Sequence, residues 1–179
     1  MSLLKNGEEV GDPWIDLADD AALPASGPVI VSLARWKAER DALIARGESV
    51  GVRLANTVNV ADLAADLVHF ALVALAFPKF NDGRAFSQAR LLRERYRFAG
   101  EIRATGAVLR DQLLFMQRCG FDAFAIADPG AADAWTKAMR EIGVFYQPTG
   151  DGRATVRALR HIAPQPAARR PAGAIQGGV

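Results

Sequence analysis

Short apolar runs alternate with amphipathic stretches through most of this chain. Val29-Ile30-Val31-Ser32-Leu33 is the first run, of the kind a buried strand makes. Residues 50–55, 71–77, 101–105 and 122–127 repeat the pattern, and 71–77 is the most hydrophobic of them. Between them lie stretches of helical period. Residues 34–46 turn Trp36, Leu43 and Ile44 inward and stop at Gly47, and Asn59 caps a predicted helix over 60–68. Residues 87–96 present Ala89, Leu92 and Tyr96, and 108–119 present Leu109, Leu113 and Met116 ahead of Gly120. Asp128-Pro129 opens a last helix to about residue 142.

Five strands alternating with five helices predict a mainly parallel sheet with right-handed crossovers. The expected architecture over 26–147 is a three-layer α/β domain of flavodoxin-like size, with a partial (β/α) barrel as the alternative. Residues 1–25 form an appended element, a hairpin turning at Asn6-Gly7 with Trp14 packed on the body. Residues 148–179 read as a basic tail rich in Pro, Ala and Gly, disordered from about 163.

Composition narrows the class. The 179 residues suit one domain, and 50% hydrophobic with 23% charged residues is a globular profile. The net charge of +2 is unevenly placed, because Arg153, Arg157, Arg160, Arg169 and Arg170 face only Asp151 after residue 147. A basic tail argues only weakly for nucleic acid, and few aromatics stand beside the body's arginines to stack on bases. The one cysteine, Cys119, excludes an intrachain disulfide and a cysteine-cage metal site. The run Leu67–Phe77 is too short to span a bilayer and is broken by His69, and the N-terminus lacks signal-peptide order. A cytoplasmic protein without a membrane partner is expected.

Ligands of parallel α/β sheets bind beyond the C-terminal strand ends. That nominates Ser32, Asn56-Thr57, Pro78 to Arg84, Thr105-Gly106 and Ala127-Asp128. The third loop is the richest: Lys79, Asp82 and Arg84 precede a helix whose first amides, near Ser87, favour anions or a partner's carboxylate. The same residues read equally as a solvated loop turning at Asp82-Gly83. Arg103 lies in a strand that should be buried, so it needs a carboxylate such as Asp82 or Asp111, or an anion at the strand end near Thr105. Arg90, Arg93 and Arg97 form a ridge at helical spacing, either solvated or facing an acidic partner. Val52-Arg53-Leu54-Ala55 and Ile102-Arg103-Ala104-Thr105 echo one another, with nothing longer repeated. Cys119 ends a helix, where the dipole disfavours a thiolate, so it reads as structural. Neither a catalytic triad, nor a metal-ligand cluster, nor a glycine-rich dinucleotide turn is visible, and no cofactor or metal is expected.

Asp82-Gly83-Arg84, Ser87, Ala89-Arg90, Leu92-Arg93, Gly100, Arg103 to Gly106, Leu109 to Asp122 and Phe145-Tyr146-Gln147 resemble bacterial domain-of-unknown-function family 934. Members of that family are commonly labelled oxidoreductases and are encoded beside assimilatory sulfite reductase and the adenylyl-sulfate or phosphoadenylyl-sulfate reductase. The resemblance implies an accessory role in sulfate and sulfite reduction, in contact with siroheme sulfite reductase or a ferredoxin-like electron donor. The alternative it leaves is an enzyme binding a sulfur oxyanion or sulfated nucleotide through Lys79, Arg84 and Arg103. It supplies no catalytic residues.

Overall fold

The computed structural model describes residues 2–126 and 130–162. Its strands are β1 (Ser2–Lys5), β2 (Glu8–Val10), β3 (Ile15–Asp16), β4 (Val29–Ser32), β5 (Val50–Leu54), β6 (Phe70–Phe77), β7 (Glu101–Gly106) and β8 (Ala123–Ile126). They form one sheet in the order β2-β1-β8-β7-β6-β5-β4-β3. From β3 to β8 neighbours are parallel and stand in chain order, while the β1–β2 hairpin adds antiparallel to β8. The expected five strands are thus eight among the described residues. Two of the extra ones, β1 and β2, are the expected hairpin turning at Asn6-Gly7, which joins the sheet instead of standing apart from it, and the third, β3, is two residues long, too short to show as an apolar run.

The sheet must curl. β2 and β3 lie at opposite edges, yet only Gly11–Trp14 joins them. Laid flat, eight strands would put their edges about 34 Å apart, whereas a link of that length reaches about 17 Å. The sheet closes into a half-barrel, so the partial-barrel alternative fits, and Gly11–Trp14 straps its open side.

Sequential strand order also decides where the helices go. Each right-handed crossover falls on the same side, so α1 (Leu33–Ala45), α2 (Arg84–Arg90), α3 (Leu113–Cys119) and α4 (Ala131–Glu141) cover the convex face. The main core lies there. Val31, Val52, Leu54, Val73, Leu75, Phe77, Ile102 and Phe124 meet Trp36, Leu43, Ala89, Leu92, Leu113, Met116 and Trp135. The concave face instead mixes small and charged residues with a small apolar cluster of Ile30, Leu72 and Ala74, and curling crowds side chains inside. A Cβ on Gly51 would already sit 3.1 Å from Leu72 and 3.2 Å from Ile30.

Three helix predictions shift. Residues 60–68 form two short 3₁₀ turns, Val60–Leu63 and Leu67–His69, since strand β6 begins at Phe70. α2 starts three residues before Ser87 and continues into a π turn over Leu91–Arg95, closed by Tyr96 N–H to Leu91 O at 3.1 Å. α3 begins only at Leu113, after a 3₁₀ turn that leaves Leu109 exposed; Ile44 is exposed as well. A fifth helix, α5 (Val156–Ile162), follows α4. The predicted Asp128-Pro129 helix start, the Ala127 end of the last strand and the tail from 163 lie outside the described residues.

Candidate functional site

Three regions hold the polar chemistry: the loops at the C-terminal strand ends, the concave face, and a cleft at the opposite end.

In the loop after β6, Lys79 and Phe80 are exposed. Arg84 turns back on Asp82, with Nε to Oδ1 at 2.9 Å and Nη2 to Oδ2 at 2.6 Å. Those donors hold Asp82 well below the usual carboxylate range, helped by the Asn56 side chain. The two charges thus largely cancel. Ser87 lies exposed on the body of α2 rather than at its start, so the helix does not aim its first amides at that side chain. The Gln112 amide donates to Phe80 O at 2.9 Å and staples this loop to the turn before α3, where Asp111 is exposed. Thr105 Oγ1 donates to Leu75 O at 3.3 Å. Arg90 pairs with Glu94 one turn on, at 3.1 Å.

Arg93 does not continue the ridge predicted from helical spacing. The π turn rotates it inward, where Nη1 donates to Phe98 O at 2.5 Å and Gly100 O at 2.8 Å, and Nε to Gly120 O at 3.0 Å. It also pairs with Asp122, whose Oδ2 accepts from Ile102 N–H at 2.8 Å.

Arg103 points into the half-barrel with its side chain 4% exposed. Its partners are Asp12 of the strap, bidentate at 2.6 and 3.2 Å, and Glu101 at 2.9 Å. Asp82 and Asp111 are not its partners, because they lie on loops beyond the strand end while Arg103 faces the concave side. Strand pairing places Ser32, Arg53, Ala74, Arg103 and Ala123 in one row across the sheet, ending at Lys5. The short echo between residues 52–55 and 102–105 is therefore two arginines flanking one alanine. Arg53 pairs with Asp16, and Lys5 with Glu101 at 2.7 Å. Beneath them Ile30, Leu72 and Ala74 form a second, small apolar cluster on which Trp14 packs.

The cleft, of about 400 Å³, lies where α3 leads into β8 and is lined by Arg93, Arg118, Cys119, Trp135, Asp151 and Arg153 among others. Arg118 is buried, stacked 3.7 Å over the Phe145 ring, and donates to Asp151 at 2.9 Å, Gln147 O at 2.9 Å and Thr149 at 3.2 Å. Burial pushes the Cys119 thiol up, against the pull of Arg90 and Arg118. Arg53, Asp12 and Arg118 take part in these networks and were not among the sequence candidates; only the echo around Arg53 signalled one of them.

Among the described residues, no helix is long and apolar enough to cross a membrane. The family model described as "Bacterial protein of unknown function (DUF934)" matches residues 51–157, more than half of the chain. No curated protein matches it.

Proposed function

This chain belongs to the bacterial DUF934 family, and we propose that it is an accessory protein of assimilatory sulfite reduction. It acts by contact with siroheme sulfite reductase or that enzyme's electron donor, in the cytoplasm. The observation that carries a contact role is Phe80. Its residue is 60% exposed, beside exposed Lys79, in a loop stapled by Gln112 to the next loop along the sheet. An aromatic held at the surface by a fixed backbone is a low-entropy anchor for a partner. The neighbouring Lys79, and the groove of Ser87, Arg90, Leu91, Glu94 and Arg95, which keeps a net positive charge after Arg90 pairs with Glu94, favour an acidic partner.

The test is capture with tagged protein from sulfate-grown cells, comparing the wild type with Phe80→Ala. Recovery of the reductase or its donor by the wild type, weakened several-fold by Phe80→Ala, is expected. Recovery of neither from wild-type captures removes the proposal. A deletion strain adds a physiological arm: growth restored by sulfide but not by sulfite is expected.

A further inference from the structure

We propose that the concave face of the half-barrel is a binding site for an acidic ligand carrying a flat apolar ring, and that the N-terminal strap occupies it as a built-in surrogate. The inference is independent of the docking role.

Arg53 and Arg103 stand two strands apart in one register row, so their Cα atoms are about 10 Å apart. The residue between them is Ala74, which leaves the space over it to whatever the arginines hold. Ile30, Leu72 and Ala74 supply an apolar floor. Two cations over a small apolar floor are the elements of a site for an anionic ring compound: guanidinium forks take carboxylates bidentately, and the floor takes the ring.

The strap, together with β3 that follows it, presents that chemistry from within. Asp12 grips Arg103 with both oxygens, Asp16 pairs with Arg53, and the Trp14 indole covers the floor. Among the described residues, α1 to α4 leave this face open, because the sequential strand order sends them to the other side. The strap itself is lightly held. Gly11, Asp12 and Pro13 are exposed, and the Asp12 side chain retains 40% exposure despite its ion pair. Its flanks are fixed: the hairpin pairs with β8, and Arg35 and Arg46 hold the carbonyls of Ala18, Ala21, Pro24 and Gly27. Opening is thereby confined to the few residues between two anchors. Arg103 keeps Glu101 when Asp12 leaves, so an open strap does not strand a buried charge.

The experiment uses indole-3-acetate, which joins a carboxylate to an indole, with acetate as the ring-free control. Calorimetry is run on the full chain as wild type, Trp14→Ala and Asp12→Ala. Both variants are expected to bind indole-3-acetate at least ten-fold more tightly than wild type, more weakly as salt rises, and acetate at least ten-fold more weakly than indole-3-acetate. Adding Arg53→Ala to either variant is expected to weaken binding at least five-fold. Folded variants that bind no better than wild type overturn the proposal, as does binding indifferent to Arg53→Ala. Should Trp14→Ala fail to fold, Asp12→Ala decides the question alone, since it removes only a half-exposed carboxylate.

Discussion

Arg35, Arg46, Arg93 and Arg118 all spend guanidinium donors on backbone carbonyls, at the places where loops would otherwise leave acceptors unpaired. A planar fork suits that task better than an ammonium point charge. Arg118 is the most exacting case, because it also stacks on Phe145 and pairs with Asp151, whose side chain is 10% exposed. Arg118→Ala leaves that carboxylate to the Arg153 N–H at 3.1 Å and the Arg153 guanidinium at 4.0 Å, and should cost about 2–3 kcal/mol in urea melts. Arg118→Lys should recover only a minor part, since lysine has neither the fork nor the flat face; full recovery would show that charge alone matters. Arg103 makes a second test. Arg103→Ala removes the cation that Glu101 and Asp12 share, but Lys5 stays on Glu101 and Asp12 is half-exposed, so it should cost about 1–3 kcal/mol, whereas Asp12→Ala should cost clearly less because Glu101 remains on Arg103. In the double variant the losses should fall short of their sum, and strictly additive melts would refute the coupling.

At the scale of elements, the π turn over Leu91–Arg95 and the cap of α3 act together. Gly120 sits at φ 105 after α3, and a Cβ there would collide with Arg93 Cγ. The glycine thus serves two ends, a left-handed helix stop and a passage for the Arg93 stem. Gly120→Ala should destabilise by about 1–3 kcal/mol from backbone strain alone, with further loss as Arg93 is pushed off Gly120 O and Asp122. Combined with Arg93→Ala, the second part should vanish; an undiminished penalty would place all of it in the backbone. Much of this layer was legible. Gly120 announced its helix end, Asn6-Gly7 its turn, and the runs beginning near 29, 50, 71, 101 and 122 their strands, because burial on a parallel sheet demands continuous apolar residues. The inward turn of Arg93 was not legible, since helical spacing assumes 3.6 residues per turn and one π turn breaks the count. The partner of Arg103 was hidden for another reason: Asp12 lies 91 residues away, and only closure of the sheet brings it there. Arg53 left a trace in the echo, but its meaning needs the strand register.

For the whole molecule, acid should loosen several seams at once. Asp66 joins the β6 approach to Arg40 of α1 at 2.9 Å, Asp82 holds the β6–α2 loop, and Asp151 fastens the C-terminal segment to α3. Burial pushes Asp66 upward, but the Trp36 and Arg40 side chains outweigh it. Burial likewise raises Asp151, and the Thr149 hydroxyl, Arg118 and the Arg153 N–H more than offset it. The Arg84 guanidinium drives Asp82 lowest of the three. All three folded-state values therefore lie below the unfolded value of about 3.9. Between the two values the unfolded chain binds more protons, so stability rises with pH there. The contribution is fully present above about pH 5 and is lost as pH falls through the folded values. Melting temperature should accordingly be level across these carboxylates' range above pH 5 and fall steeply below about pH 4. Asp151→Asn separates the parts: it should lower the plateau at pH 7, because Arg118 loses its charged partner, and flatten the acid limb, because one titrating group is gone. Exposed Asp41 is the control, with its side chain 99% exposed beside Arg40; Asp41→Asn should leave both plateau and limb close to wild type. An acid limb of wild-type steepness in Asp151→Asn would mean that the Arg118 seam does not open on protonation and that the acid transition begins elsewhere.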